Sequence, residues 1–161
     1  MVHQGPYTRR MDSTPRGGWS GGDPDAFAAL TLVRAFGVVR RAFLAALAPH
    51  DISPQQFSVL LHLVERPGRA QADLAREVMA TPQSVGELLR QMEERGLVVR
   101  TPPAGRGLPI AVTASEQGRA LLDAVTPAVT AAFSAEALGL DPARLDRLNA
   151  DLHAVLAALS P

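Results

Sequence analysis

The chain has no cysteine and no lysine, and each absence narrows what the protein can be. Without cysteine it has no disulfides, no thiolate metal sites, no cysteine nucleophile and no thiol that could sense oxidation. All 16 basic residues are arginine, alongside abundant alanine, glycine and proline, which is the bias that GC-rich codons produce. We therefore expect a bacterial source with a GC-rich genome.

Aromatic residues and long apolar runs are also scarce. Aromatic residues make up 4% of a chain that is 47% hydrophobic, so leucine, valine and alanine must fill the core, which favours helices. No uninterrupted apolar run reaches the roughly 18 residues of a membrane span, and the first residues lack the apolar centre of a secretory signal. We expect a cytoplasmic protein that does not enter a membrane.

Neither sign of charge is in excess, since 16 arginines face 16 acidic residues. A formal charge of zero counts against nucleic-acid binding, because phosphate contacts supply most of the non-specific affinity. The charges are unevenly spread, however: residues 66–106 hold seven arginines and five acids, whereas residues 119–161 hold three and five. The middle of the chain is therefore its weakly basic part.

Five positions carry a helix-start signal, a side chain that caps the first turn, and four of them are followed by proline. These are Asp23-Pro24, Ser53-Pro54, Thr81-Pro82, Ser115-Glu116 and Asp141-Pro142. With the apolar periodicity, they predict helices at about 24–47, 54–67, 70–78 and 82–95, then one from 116, kinked at Pro127, and one from 142. Strand-like segments at 97–100 and 110–113 predict a two-stranded wing.

This order predicts a mainly α fold with a minor β part. Residues 1–22 are rich in glycine and lack periodicity, so we expect a disordered arm before a single domain at 23–161. Three short helices with tight connections, followed by the wing, predict a winged helix-turn-helix lobe at about 52–113. Helices at about 24–49 and 115–160 flank this lobe.

Both flanking segments carry long apolar stripes. The first stripe consists of Leu32, Phe36, Val39, Phe43 and Leu47, and the last consists of Leu145, Leu148, Leu152, Val155 and Leu159. The last has the spacing of a heptad seam. Ordinary core packing would explain either stripe, but the middle of the chain supplies little to cover them. We therefore expect the terminal helices to form a dimerisation domain in a homodimer.

Local motifs along this layout resemble the MarR family, the multiple-antibiotic-resistance regulators. The residues that carry the resemblance are Ile52 to Leu60, Ala72-Asp73-Leu74-Ala75, Ser84-Val85, Leu88-Leu89, Met92-Glu93, Arg95-Gly96-Leu97-Val98, Arg100, and Val112 to Gly118-Arg119. Each motif is weak alone, and their order makes the case. The resemblance implies a transcriptional regulator that binds double-stranded DNA as a homodimer, with repression the commoner outcome and no cofactor. It also implies a pseudo-palindromic operator and release by a small aromatic or acidic effector.

The resemblance places the recognition helix at 82–95 and the wing after it. The DNA-binding candidates are Thr81, Pro82, Gln83, Ser84, Gly86, Glu87, Arg90, Arg100 and Arg106. Gln83 is the best base reader, because an amide can pair with adenine at two points. Arg90, Arg100 and Arg106 are expected to contact phosphate, with Gln71 and Arg76 as weaker candidates. For each of them, a solvated surface side chain is the alternative.

Two departures from the family pattern lie where DNA would be touched. The family's wing usually holds Asp-Arg-Arg, where this chain has Arg106-Gly107-Leu108, so the acid that braces the arginine is missing. Glu87 stands where relatives often have a basic or polar residue. Glutamate repels phosphate but accepts a hydrogen bond from cytosine. Base reading and weakened DNA binding both remain open for Glu87.

Enzymatic and metal-binding patterns are missing from the sequence. The four histidines, His3, His50, His62 and His153, are scattered without ligand spacing, and Glu93-Glu94 is flanked by arginines rather than paired for catalysis. Arg40, Arg41 or His62 could meet a carboxylate ligand, but nothing marks a pocket. The competing interpretation is a winged-helix dimer that acts through a protein partner and has weak or no DNA binding.

Overall fold

The computed structural model describes residues 21–102 and 109–159. The helices are α1 (Ala28–Leu47), α2 (Pro54–Glu65), α3 (Gln71–Glu77), α4 (Pro82–Glu94), α5 (Glu116–Ala132) and α6 (Pro142–Leu159). The strands are β1 (Arg69–Ala70), β2 (Val98–Thr101) and β3 (Ala111–Ala114). Among the described residues, no helix combines the length and apolarity that a membrane span needs. The chain divides into two compact units, residues 1–40 and 41–161.

In the first unit, the predicted helix start at Pro24 is wrong. The Asp23 carboxylate accepts a hydrogen bond from the Asp25 amide at 3.0 Å and caps only the 3-10 turn Pro24–Ala26. Phe27 then adopts an extended backbone, φ −89° and ψ 98°, so α1 begins at Ala28. Past this break the stripe residues Leu32, Phe36 and Val39 are helical but exposed, with Phe36 67% exposed.

The core of the second unit lies between α2, α3, α4, α5 and the sheet. Its largest fully buried side chains are Leu47, Val59, Leu60, Leu63, Leu74, Val85, Leu89, Met92, Val112 and Val125. Two leucines of α2 and α4 are not part of this buried set: Leu61 is exposed, and Leu88 is only partly buried beside the cluster. The buried face of α4 consists of Val85, Leu89 and Met92.

Four of the predicted caps start α-helices through hydrogen bonds to their own first turn. The hydroxyl of Ser53 accepts from the Gln56 amide at 3.2 Å, while the Gln56 side-chain oxygen accepts from the Ser53 amide at 3.0 Å. The Ser115 hydroxyl accepts from the Gly118 amide at 3.0 Å, and the Asp141 carboxylate accepts from the Arg144 amide at 2.8 Å. The fourth, Thr81, begins α4.

The sheet has three antiparallel strands rather than the predicted two. Their order is β1-β3-β2, with Arg69 opposite Val112 and Val98 opposite Ala114. Because β1 takes up Ala70, α3 begins at Gln71 instead of residue 70. The wing strands also lie one residue later than predicted. β1 joins the wing sheet directly to the start of α3.

Beyond the sheet, α5 continues through Pro127 to Ala132, and α6 follows. Every residue of α6 is exposed except Leu145, which is partly buried. A helix whose apolar seam is open to solvent within its own chain is suited to contact a second chain.

Candidate nucleic-acid interface

The connection between α3 and α4 is tight enough to fix the angle between the two helices. Met79 takes the left-handed conformation, φ 52°, which ends α3. The Ala80 amide donates to the Ala75 carbonyl at 2.9 Å and the Val78 amide to the Leu74 carbonyl at 2.9 Å, so the freed helix-end carbonyls are satisfied. The chain can therefore reverse within residues 78–81 and begin α4 at once.

Two contacts position the amino terminus of α4. The Thr81 hydroxyl accepts from the Ser84 amide at 3.1 Å and lies 2.8 Å from the Ser84 hydroxyl. The Gln71 side chain donates to the Pro82 carbonyl at 2.8 Å, which ties the start of α3 to the start of α4. The sequence indicated Gln71 only as a weak phosphate candidate, and no local pattern announces this contact across 11 residues.

Gln83 stands out on this first turn. It is exposed, and its side chain makes no hydrogen bond to any residue that the structure describes. The opposite side of α4 is held in the core by Val85, Leu89 and Met92. α4 is thus held in the core on one side and presents, at its amino end, a side-chain amide without a hydrogen bond to any described residue. The amino end of this helix is the one that faces base edges in helix-turn-helix docking.

One turn further along, Glu87 and Arg90 form an ion-pair network. Arg90 donates from Nε to Glu87 Oε2 at 3.0 Å and from Nη2 to Oε1 at 2.6 Å, and it also pairs with Glu94. Gln91 Nε2 donates to Glu87 Oε1 at 2.9 Å. The hydrogen bonds from Arg90 and then Gln91 lower the pKa of Glu87 to about 2. Hydrogen bonding to Glu87 raises the pKa of Arg90.

This network changes what Arg90 can offer to DNA. Its guanidinium is shared between two carboxylates, so together the three groups carry a charge of about −1 at neutral pH. A phosphate must compete with Glu87 and Glu94 for the same donors. The Arg90 guanidinium is therefore less available to a phosphate than its exposure alone indicates.

Arg100 lies on β2, with three-quarters of its side chain buried. Its Nη2 donates to the Gly86 carbonyl at 3.1 Å, and its Nε lies 3.5 Å from Glu93 Oε2. Gly86 is also close-packed, since a Cβ there would stand 2.8 Å from Gln71 Nε2. Arg100 thus ties the wing sheet to the middle of α4, a contact that sequence reasoning missed.

The structure brings most of the predicted site together. Seven candidates lie at the cap and along the first turns of α4: Thr81, Pro82, Gln83, Ser84, Gly86, Glu87 and Arg90. Arg100 contacts that helix. Arg106, with Gly107 and Leu108, lies outside the described residues, as does nearly all of the predicted arm at 1–22. Arg76 is exposed and paired with Asp73.

Among the residues that the structure describes, no cluster of histidine and acidic side chains has the arrangement of a metal site. His62 Nδ1 lies 3.7 Å from Glu77 Oε2, and Arg69 pairs with the other oxygen of the same carboxylate. This group connects α2, β1 and α3. Because this group holds three elements together, its arrangement fits a structural role.

Sequence comparison decides the family. The MarR family profile matches residues 50–107, which hold α2 to β2. The chain is also 37% identical over 110 residues to the HTH-type transcriptional repressor Rv2887 of Mycobacterium tuberculosis, a match that covers 67% of this chain and 78% of that protein. The chain belongs to the MarR family. This MarR-family protein is therefore a DNA-binding transcriptional regulator and not an enzyme.

Solved structures of two MarR-family relatives have the same fold. CouR of Rhodococcus jostii RHA1, bound to p-coumaroyl-CoA, is 28% identical with a TM-score of 0.75, covering 88% of this chain and 98% of that one. CouR bound to a 23-mer DNA duplex is 29% identical with a TM-score of 0.70, covering 90% and 100%. The predicted winged helix-turn-helix fold is confirmed.

The second relative, Rv2887, is similar over a shorter span. Its complex with DNA is 31% identical with a TM-score of 0.62, covering 80% of this chain and 96% of that one. Its complex with salicylic acid is 29% identical with a TM-score of 0.63, covering 80% and 95%. Both relatives have thus been solved with DNA and with a small organic acid or its thioester.

Proposed function

We propose that this regulator is a repressor that binds a pseudo-palindromic operator as a homodimer and reads bases with the amino-terminal turn of α4. The observation that carries the proposal is the exposed amide of Gln83, which makes no hydrogen bond to any described residue and lies at the start of a helix whose other face is buried. The DNA complexes of CouR and Rv2887 support a DNA ligand. A repressor of this kind would act in the bacterial cytoplasm, where the chromosome lies.

The DNA-binding candidates of the sequence have different roles in this proposal. Gln83 and Ser84 face base edges, while Thr81 and Pro82 set the start of α4. Arg90, Arg100 and Arg106 are the proposed phosphate contacts, and Arg100 also holds α4 to the sheet. Because Arg90 is shared with two carboxylates, we expect affinity to fall less with salt than in a strongly basic regulator.

A homodimer is proposed because α6 leaves its apolar seam exposed. Seam residues recur at the 3, 4, 3, 4 spacing of helices that pack on one another. Residues 23–161 would then form one domain, in which a winged-helix lobe at about 52–113 is carried by dimerisation helices. Two symmetric lobes would place two α4 helices about one turn of DNA apart.

Release by a small aromatic acid is the proposed control. The support is that the solved relatives bind salicylic acid and p-coumaroyl-CoA. A ligand of this class would lower operator affinity if it bound the DNA-free arrangement of the dimer more tightly than the bound one.

The test of DNA reading is fluorescence anisotropy on duplexes from the region upstream of the protein's own gene. We expect salt-sensitive binding that resists competitor DNA. In Gln83→Ala we expect a loss of operator affinity of about thirtyfold or more, since a homodimer loses two bidentate base contacts of about 1–3 kcal/mol each. Gln55→Ala is the matched control, because Gln55 occupies the equivalent second position of α2 and is exposed. It should bind like the wild type.

Two outcomes would contradict the proposal. Equal affinity of Gln83→Ala and wild type on a specific duplex would remove α4 as the reader. Failure to bind any promoter duplex, or an affinity that does not change with salt on any duplex, would favour the competing function. The exposed face of α4, with Glu87, Glu93 and Glu94 against Arg90, would then suit a basic protein partner.

A further inference from the structure

We propose that Glu87 is a specificity-determining residue that accepts a hydrogen bond from a cytosine amino group in each operator half-site. The inference rests on the proposed function, since it needs α4 to enter the major groove. It goes beyond that function by assigning a base to a residue whose charge appears unfavourable for DNA binding.

The first support is position. Glu87 follows Gln83 by four residues, so the two side chains lie on the same face of α4, one turn apart. This face is opposite the buried Val85 and Leu89. If Gln83 reaches a base edge, the side chain of Glu87 is directed into the same groove at the next base pairs.

The second support is the number of acceptor sites left on the carboxylate. Oε1 already accepts from Arg90 Nη2 and Gln91 Nε2, which uses both of its lone-pair positions. Among the described residues, Arg90 Nε is the single donor to Oε2, at 3.0 Å. One acceptor position therefore remains on Oε2, and the other three hydrogen bonds hold the carboxylate in place.

The chemistry of base edges then selects the base. An ionised carboxylate can only accept, so it is repelled by the two acceptors of guanine and by the single acceptor of thymine. Adenine offers an amino donor beside its N7 acceptor, whereas cytosine offers its amino donor alone. A single free acceptor position matches cytosine best.

The third support is electrostatic. A glutamate close to the DNA backbone is ordinarily repelled, but the bidentate pair with Arg90 offsets its charge locally. With its pKa at about 2, Glu87 stays ionised at the pH of any binding assay and never becomes a donor. The base preference should therefore be constant between about pH 5 and 8.

Glu94 provides a matched control on the same helix. It also pairs with Arg90, but it lies seven residues beyond Glu87, at the carboxyl end of α4. Glu87→Gln and Glu94→Gln each remove one negative charge and one partner of Arg90. Both should raise non-specific DNA affinity to a similar extent, whereas only Glu87→Gln removes the proposed base contact.

The experiment selects duplexes from a pool with a randomised central segment, using the wild type and each variant. We expect a wild-type consensus with a C·G pair at one position of each half-site, preferred about tenfold over other pairs. Glu87→Gln should lose that preference, and adenine should replace cytosine because an amide pairs with it at two points. Glu94→Gln should select the wild-type consensus.

The possible failures are distinguishable. If the wild type selects a consensus that Gln83→Ala changes but Glu87→Gln does not, the proposed function stands and the Glu87 inference is overturned. If Glu94→Gln changes the same position as Glu87→Gln, the effect arises through Arg90 and the inference is again overturned. If the wild type selects no consensus, both fall together.

Discussion

Replacing Gly118 with alanine is expected to destabilise the winged-helix lobe by about 3 kcal/mol. Gly118 is buried in the first turn of α5, and a Cβ there would lie 2.1 Å from the Leu97 carbonyl oxygen and 3.0 Å from a Leu60 methyl group. The first obstacle is backbone and cannot rotate away. The first turn of α5 must shift, which strains the hydrogen bonds from Ser115 to the Leu97 and Gly96 carbonyls. These losses exceed the roughly 1 kcal/mol that alanine gains over glycine in a helix.

Urea unfolding followed by circular dichroism measures this effect, and Gly86→Ala is its matched control. The atoms nearest to a Cβ at Gly86 belong to the end of the flexible Gln71 side chain, which can move, so we expect a stability within about 1 kcal/mol of wild type. Equal unfolding midpoints for Gly118→Ala and wild type would show that α5 does not lie against the Leu97 carbonyl. The glycine of the Gly118-Arg119 pair in the family motif would then need an explanation other than this close contact.

Placing two glutamates in the seam of α6 is expected to convert a dimer to monomers and to lower operator affinity by about a hundredfold or more. Leu152 and Val155 are exposed in the isolated chain, so Leu152→Glu and Val155→Glu together leave the fold of each chain intact. In a dimer the same carboxylates would be buried without partners. Operator affinity falls because the two lobes no longer bind one duplex as a linked pair.

Sedimentation velocity gives the oligomeric state, and anisotropy on the same samples gives the affinity. Ala150→Glu is the control, since Ala150 is exposed and lies on the opposite face of α6 from Leu152. It should remain dimeric and bind like the wild type. A wild type that sediments as a monomer, or a double variant that remains a dimer with full affinity, would exclude the α6 seam as the interface.

The helix starts are the part of this fold that sequence predicts best. Ser53, Thr81, Ser115 and Asp141 all cap a helix as expected, because each side chain bonds to a backbone amide three residues away. The signal and its target lie in the same short window of sequence. The position of α4, and with it Gln83, could therefore be predicted without any tertiary information.

Features that depend on distant contacts could not be predicted in this way. Strand β1 is two residues long, too short for any periodicity, and exists because Arg69 and Ala70 pair with β3. Nothing in the sequence near Arg100 announces the Gly86 carbonyl that it contacts, so the sequence predicts only a phosphate contact for this residue. The Asp23-Pro24 signal predicts the start of α1 wrongly for a related reason. A capping residue carries no information about the extended backbone of Phe27.

The apolar stripes are intermediate between the helix caps, which sequence predicts well, and the distant contacts, which it does not. Periodicity predicts the seam of α6, and the structure shows that its residues Leu148, Leu152 and Val155 are exposed. Periodicity alone cannot say whether such a seam is covered by the same chain or by another. The exposure of every residue of α6 except Leu145 is what supports the dimer proposal.

The absence of cysteine permits the most direct test of the central claim, that the amino-terminal turn of α4 lies in the DNA groove. Gln83→Cys provides a single thiol, to which an iron chelate that cleaves nearby DNA can be attached. The control is Gln55→Cys. Its neighbour Gln56 contacts Arg95, which lies just past the carboxyl end of α4, the end opposite to Gln83. We predict that labelled Gln83→Cys cuts the operator in two clusters about 10 bp apart, while labelled Gln55→Cys does not. Cleavage by both proteins to the same extent, or by neither on a duplex that both bind, would contradict the account.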